Sequence, residues 1–240
     1  MSSFFLMLGF FTRLPVPCPE YTEQRYRRGV PMLPLVGVLV GGLLAGVFVL
    51  LESLPVALTS LLVFVLYLYI TGGLHLDGLA DSFDALFSSR DREGVLRIMD
   101  DPQIGSFGVL GLIISSAAYL ILFSMVDWPA LLLFPIIGKC TPAIAANIAP
   151  YIRPGGMAEL FCSSASRGVA ILAVALGLAA CAAFWFISPA YLVAGAVALA
   201  ASVLLTFRIK NLLGGITGDI LGLICEAAHL LFLLVCVLNF

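Results

Sequence analysis

An apolar run that ends in three carboxylates decides how this chain folds: VALTSLLVFVLYLYITGGLHLDGLADSFD, residues 56–84. Residues 56–70 are apolar enough to form a helix that crosses a membrane. Helical residues are about 100° apart, so spacings of four and seven place Asp77, Asp81 and Asp84 within an arc of about 60°. The pattern predicts a helix with an acidic stripe where the apolar run ends.

The acidic stripe, Asp77, Asp81 and Asp84, predicts a cation site. Three like charges on one helical face repel one another, so a protein gains by placing a positive partner between them. Hard oxygen donors without a Cys or His cage favour Mg²⁺, usually shared with substrate phosphates. The alternative interpretation is an ordinary helix start in solvent, because acidic residues suit the first turn of a helix.

The composition is that of an integral membrane protein. Of 240 residues, 62% are hydrophobic and 11% are charged, and the mean hydropathy is +1.13, whereas soluble domains carry about a quarter charged residues. The net charge of −2 gives no argument for nucleic acid as a partner. The six cysteines form no Cys-x-x-Cys pair and are interpreted as small buried hydrophobes, with neither a disulfide framework nor a zinc site.

Seven apolar segments are long enough, or nearly so, to cross a bilayer. They are residues 33–54, 56–74, 104–126, 128–148, 168–187, 191–207 and 220–240. Residues 2–11 lack a basic start and a cleavage site, which favours an interfacial helix with Arg13 at its polar end over a removable signal peptide. We therefore predict one all-α domain, residues 1–240: a polytopic helical bundle of about seven transmembrane helices plus an N-terminal interfacial helix.

The basic residues predict the orientation of this bundle. The loops before the first span and after the second, fourth and sixth carry the arginines, and the intervening turns carry neither Lys nor Arg. The positive-inside rule makes the arginine-rich side cytoplasmic, with the C-terminal Phe240 on the opposite side. The dense polar sequence lies on the same side, so we expect a cytoplasmic active face.

Further polar candidates lie in the cytoplasmic segments. Asp100 and Asp101 are candidates for completing a metal site, or form a turn before the third span. His75 is an acid–base candidate or an interfacial histidine. Arg153 is a phosphate ligand or an inner-side marker of topology.

The stretch GGITGD, residues 214–219, combines glycines with a hydroxyl and a carboxylate at a helix start, which indicates an N-cap and a phosphate nest. Asp219 and Glu226, seven residues apart, share a helix face. A carboxylate within an apolar span is a functional candidate by default. The alternative is a polar pair of Glu226 with His229 that holds helices together.

Motifs along most of the chain resemble the membrane-bound cobalamin synthases, the adenosylcobinamide-GDP ribazoletransferases. The matching segments are FTRLPVP (11–17), LPLVG (33–37), GLHLDGLAD (73–81) with Asp84, Ile98-Met with Asp101, G-x-F-G (105–108), Y-x-RPGG (151–156) and GG-x-TGD (214–219) with Glu226. The chain departs from the family pattern at Asp100 and Gln103, and at Lys139-Cys140, where an arginine–tryptophan pair is common.

The resemblance implies a Mg²⁺-dependent transferase of the inner membrane that joins adenosylcobinamide-GDP to α-ribazole or its 5′-phosphate and releases GMP. Our hypothesis from the residues assigns catalytic roles to His75, Asp81 and Glu226, and substrate binding to Arg13, Arg90, Arg153, Thr217 and Gly218. It assigns metal binding to Asp77, Asp81 and Asp84, with Asp101, Asp219 and Glu226 as secondary ligands or base candidates. The bilayer is a partner, and a homo-oligomer or an association with other corrinoid enzymes stays open.

Two other functions fit parts of the sequence. A CDP-alcohol phosphotransferase also uses an Asp-Gly-x-x-Ala string on a membrane helix, but it continues with Arg where this chain has Asp81. A membrane ion carrier would use Glu226, Lys139 and the acidic stripe as a relay, although its acids are expected at mid-membrane.

Overall fold

The computed structural model of the protein describes residues 2–17 and 19–238, and α-helices account for most of them. The α-helices in these residues are α1 (Ser2–Phe11), α2 (Glu23–Gly29), α3 (Leu33–Leu50), α4 (Val56–Thr71), α5 (Leu74–Leu86), α6 (Arg92–Met99), α7 (Ser106–Phe123), α8 (Trp128–Ile148), α9 (Gly156–Ser164), α10 (Arg167–Ala182), α11 (Ala190–Leu213) and α12 (Gly218–Leu238). The predicted all-α class is confirmed. Cys18 and Phe240, which the sequence analysis used, lie outside the described residues.

Five helical segments of the described residues are long and apolar enough to cross a membrane, and the number rises to seven if each of two bent helix pairs is one span. The five are Glu23–Leu50, Ser106–Phe123, Trp128–Ile148, Ala190–Leu213 and Gly218–Leu238. The bent pairs are α4 with α5, at 90°, and α9 with α10, at 86°. The predicted polytopic helical bundle is therefore confirmed.

Helix α8 lies at the centre of the bundle. It packs against α3, α10, α11 and α12, and most of its side chains are buried. It begins after Asp127, whose side chain accepts a hydrogen bond from the Ala130 amide. This cap and Pro129 in the first turn fix the start of the helix.

The chain turns sharply between α4 and α5. Gly72 and Gly73 have φ values of 63° and 71°, a left-handed conformation that glycine adopts without steric cost. The two residues end α4 and redirect the chain by 90°, so that α5 packs against α12 and α7. The turn thereby places the acidic stripe beside the start of α12.

Four of the five described cysteines are buried, as predicted. Cys140, Cys181, Cys225 and Cys236 are buried, Cys162 is partly buried, and all five are free thiols. The core of the bundle therefore uses them as small apolar side chains.

Candidate active site

Two cavities meet at Asp77. The larger, about 770 Å³, lies between α1, the turn from α4 to α5, and α7, and Arg13 and Ser116 line it. The smaller, about 240 Å³, lies between α1, α5, α9 and the start of α12. Phe10, Leu74 and Asp77 line both cavities, so a group in one cavity can meet a group in the other at Asp77.

The acidic helix α5 lies against the first turn of α12. A Cβ atom at Gly78 would lie 2.9 Å from both the Cα atom and the carbonyl oxygen of Asp219, and only a glycine permits that approach. Asp77 is exposed and Asp81 is partly exposed. In the described part of the chain neither forms a salt bridge, and the Arg153 guanidinium acts electrostatically on Asp81.

Asp84, the third member of the stripe, has protein partners. Its Oδ2 accepts a hydrogen bond from the Gly105 amide at 2.6 Å, and its Oδ1 accepts one from the Gly108 amide at 2.8 Å. Gly105 is the N-cap of α7, so the carboxylate binds the positive end of that helix. Asp84 is buried there, and its predicted metal-binding role stays a prediction.

Arg153 reaches the acidic cluster from a loop that is held in place by backbone pairing. Tyr151 forms an isolated parallel bridge with Ile216, next to the start of α12. Arg153 Nη1 donates to Asp219 Oδ2 at 3.0 Å, and Nη2 lies 2.9 Å from Asp100 Oδ1. The Nη2 group is buried and has the distance of an ion pair to Asp100 without hydrogen-bond geometry.

His75 lines the smaller cavity, and its side chain contacts Lys139 of α8. The two nitrogens, His75 Nδ1 and Lys139 Nζ, are 2.9 Å apart. The imidazole stacks on Phe11 with the ring centroids 5.9 Å apart. Both His75 and Lys139 are buried. Lys139 was predicted only as part of a relay in the ion-carrier alternative, although it is the one Lys or Arg inside a predicted span.

The remaining predicted substrate ligands and the predicted metal ligand Asp101 fall into three groups. Gly218 lines the smaller cavity and Arg13 the larger. Thr217 is buried, and its hydroxyl caps α12 by accepting a hydrogen bond from the Ile220 amide at 3.3 Å. Arg90 and Asp101 are exposed and line neither cavity. The roles assigned to these residues stay predictions.

Glu226 lies about 10 Å along the axis of α12 from Asp219, and it lines neither cavity. It accepts hydrogen bonds from the hydroxyls of Tyr67, at 2.7 Å, and Tyr119. His229 Nδ1 is 3.6 Å away. These groups are buried and join α12 to α4 and α7. The arrangement matches the predicted polar pair of Glu226 with His229, and the catalytic role of Glu226 stays a prediction.

Among the described residues, no group of three or more His, Cys, Asp or Glu side chains is arranged to hold a metal ion. The oxygen donors Asp77, Asp81 and Asp219 nevertheless lie on two helices in direct contact. Mg²⁺ is commonly held by one or two carboxylates together with substrate phosphates and water. The donor set therefore fits a Mg²⁺ ion that binds together with a phosphate substrate.

Comparison with known proteins gives matches over nearly the whole chain. The family model described as CobS, cobalamin-5-phosphate synthase, matches residues 3–237. The adenosylcobinamide-GDP ribazoletransferase of Alkaliphilus oremlandii is 37% identical over 235 residues, covering 98% of this chain and 96% of that protein. The protein of the same name from Acetivibrio thermocellus is 36% identical over 241 residues, covering 95% of this chain and 94% of the relative. No solved structure matches significantly.

Proposed function

The chain belongs to the CobS family of cobalamin-5-phosphate synthases, and from that premise we propose how the two cavities at Asp77 carry out its reaction. The activity is that of an adenosylcobinamide-GDP ribazoletransferase, the nucleotide-loop assembly step of cobalamin synthesis. The substrates are adenosylcobinamide-GDP and α-ribazole or its 5′-phosphate. The observation that supports this use of the site is the pair of cavities that share Asp77.

The reaction exchanges a phosphoanhydride bond of the diphosphate for a phosphate ester bond. An oxygen of an α-ribazole hydroxyl bonds to the phosphorus attached to the aminopropanol arm of adenosylcobinamide-GDP. The bond from that phosphorus to the bridging oxygen breaks, and GMP leaves with the bonding electrons. The hydroxyl proton goes to a carboxylate near the point where the two cavities meet.

Asp77, Asp81 and Asp219 would hold Mg²⁺, which supplies charge neutralisation of the diphosphate and acidification of the attacking hydroxyl when it is bound. The chain itself contributes cations around the same point. Arg13 lines the larger cavity, and the Arg153 guanidinium lies beside Asp219. Both can hold phosphate oxygens through charge-assisted hydrogen bonds.

His75 is assigned the role of a hydrogen-bond donor to the reacting phosphate. A lysine ammonium has only donors, so Lys139 Nζ donates to His75 Nδ1 across 2.9 Å. The neutral imidazole then carries its proton on Nε2. A buried donor held in a fixed direction stabilises charge that develops on a phosphate oxygen in the transition state.

The protein is a multi-pass membrane protein with five to seven candidate spans in its described residues. We place the working face in the cytoplasm of a bacterial or archaeal inner membrane, because the arginine-rich loops lie on the same side of the sequence-based topology as the acidic stripe. The substrate GDP ester and the product GMP are then exchanged with the cytoplasm.

The direct test uses purified protein in detergent with Mg²⁺ and adenosylcobinamide-GDP. We expect GMP release only when α-ribazole is present, together with the joined corrinoid product. A chelator should stop the reaction, and added Mg²⁺ should restore it. GMP release without α-ribazole would indicate a hydrolase, and absence of the joined product with both substrates present would contradict the proposed function.

A further inference from the structure

We propose that the smaller cavity binds the heteroaromatic ring system of the nucleoside substrate, and that the larger cavity receives the diphosphate arm of the corrinoid substrate. The proposal rests on the proposed function, which supplies the two substrates, and it adds which cavity takes which. The reacting groups then meet at Asp77, which lines both cavities.

The walls of the smaller cavity are suited to a flat aromatic ligand. Phe10, Phe11, Tyr26 and Phe161 contribute aromatic rings from α1, α2 and α9. The Phe10 ring meets the Tyr26 ring edge to face, with centroids 5.7 Å apart, and meets the Phe11 ring at 4.9 Å. Aromatic side chains bind planar heterocycles by stacking and edge-to-face contact. This wall therefore matches a purine-like or benzimidazole-like base.

The charges of the two cavities separate the two substrates. No Lys or Arg lines the smaller cavity in the described part of the chain, whereas Asp77 and Asp219 line it. Apart from the Mg²⁺ that Asp77 and Asp219 would hold, a diphosphate in that cavity would lose its hydration without a cationic side chain from the wall. The larger cavity contains Arg13 and the Gly72–Gly73 turn. A diphosphate arm is therefore favoured in the larger cavity, and the uncharged heteroaromatic base of the nucleoside substrate is favoured in the smaller one.

The volumes lead to the same assignment. Sites for whole small molecules are usually about 300–1,000 Å³, and the smaller cavity, about 240 Å³, is just below that range. It has room for one fused ring with part of its sugar but not for a nucleoside diphosphate joined to a tetrapyrrole. The larger cavity, about 770 Å³, has room for the diphosphate arm, and the bulky corrin ring then remains outside both cavities.

The chain offers matched small residues for a test. Ala158 of α9 lines the smaller cavity and not the larger, and Ser116 of α7 lines the larger and not the smaller. Both are partly exposed. Replacing each with Leu fills one cavity with similar added volume. The variant Phe161→Leu removes one aromatic face of the smaller cavity while keeping an apolar side chain, and it serves if Ala158→Leu does not fold.

The experiment measures GMP release while the concentration of each substrate is varied in turn. We expect Ala158→Leu and Phe161→Leu to raise KM for α-ribazole by about tenfold or more, with KM for adenosylcobinamide-GDP within about twofold of the parent. We expect Ser116→Leu to raise KM for adenosylcobinamide-GDP by about tenfold or more and to leave KM for α-ribazole within about twofold of the parent. Thermal unfolding in detergent, measured for each variant, identifies those that fold.

The reversed pattern of KM values, or equal effects on both substrates in folded variants, would overturn the assignment of the cavities. A parent protein that releases no GMP with both substrates would instead contradict the proposed function. The two failures are thus distinguishable on the same preparation, because the first appears only in variants of an active enzyme.

Discussion

Gly78 of α5 lies against the backbone of Asp219 at the start of α12, where an added Cβ would lie 2.9 Å from the Asp219 Cα atom. This contact joins the acidic stripe to the last polar loop, although the two residues are far apart in sequence. It also positions Asp77, the residue before Gly78, where the two cavities meet. The geometry of the site therefore depends on residue 78 being a glycine, which has no Cβ atom.

The first prediction concerns Gly78→Ala. Because the added methyl would meet backbone atoms that cannot rotate away, α5 and α12 must separate. We expect the free energy of unfolding to fall by about 1–3 kcal/mol. We also expect the turnover per folded molecule to fall, because the separation moves the carboxylates of the site. The control is Gly42→Ala, which adds the same methyl to α3 where no atom lies within 4 Å. Equal activity in both variants would show that the helix contact does not control the site.

The second prediction concerns Asp77 and Asp81, which form no salt bridge in the described part of the chain. Asp77→Asn and Asp81→Asn each keep the side-chain volume and remove a ligand charge, so turnover should fall by about two orders of magnitude or more. The Mg²⁺ concentration needed for half-maximal rate should rise in parallel. Asp91→Asn is the matched control, because Asp91 caps α6 by accepting from the Gly94 amide and Asn caps equally well. Near-normal activity of Asp81→Asn would show that the stripe is only a solvated helix face.

The third prediction separates Asp84 from the other two acids. Its carboxylate accepts hydrogen bonds from the Gly105 and Gly108 amides at the start of α7. Asp84→Asn keeps one acceptor oxygen and loses a charge-assisted bond, so stability should fall by about 1–2 kcal/mol. Asp77→Asn should leave the melting temperature unchanged. The measurement is thermal unfolding of both variants in one detergent, and equal melting temperatures would contradict a structural role for Asp84.

The fourth prediction tests whether Lys139 acts through His75. Removing the donor to Nδ1 leaves the imidazole free to change tautomer and direction, so Lys139→Met should lower kcat by about tenfold and His75→Ala by about a hundredfold. If Lys139 works only by positioning His75, the double variant should be no slower than His75→Ala. Lys139→Arg should retain activity because arginine can donate in the same way.

The control for this cycle is Lys210→Met. Lys210 donates to the Ile148 carbonyl at the end of α8, so its loss should lower stability without changing kcat. If the fold loss in kcat of the double variant equals the product of the losses in Lys139→Met and His75→Ala, the two residues act independently, which would contradict the positioning role of Lys139.

The bundle was predictable from the sequence because its signals are local. Helix α8 begins and ends at the residues of the fourth predicted span, since Asp127 caps it and Pro129 occupies its first turn. Helices α6 and α9 were not predicted: they are short and partly polar, and neither has the length or apolarity that identifies a span. The 90° turn after α4 occurs at Gly72 and Gly73. The glycine pair is visible in the sequence, but the angle and direction of the turn are not.

The members of the candidate site were largely visible in the sequence, whereas their partners were not. Asp84 and the Gly105 amide are 21 residues apart, and His75 and Lys139 are 64 apart. Such pairs depend on how helices pack, and helix periodicity carries no information about packing between distant segments. Periodicity also placed Asp219 and Glu226 on one helix face, but it could not show that Tyr67 and Tyr119 bind Glu226 away from the cavities.

The last prediction concerns Glu226, which the sequence analysis assigned to catalysis. In the structure its two oxygens accept hydrogen bonds from Tyr67 and Tyr119 on two other helices. Glu226→Gln keeps the volume but replaces one acceptor by a donor, which leaves a buried hydroxyl without its best partner. We expect the free energy of unfolding to fall by about 1–3 kcal/mol, with kcat and the Mg²⁺ requirement close to those of the parent.

A double variant makes this test specific. If the carboxylate acts as the acceptor for both hydroxyls, Tyr67→Phe removes one of the donors, so combining it with Glu226→Gln should cost less than the sum of the two single losses. Melting temperature and Mg²⁺-dependent GMP release are measured on the same preparations. A Glu226→Gln protein with an unchanged melting temperature and strongly reduced turnover would contradict the structural role and assign Glu226 to the reaction.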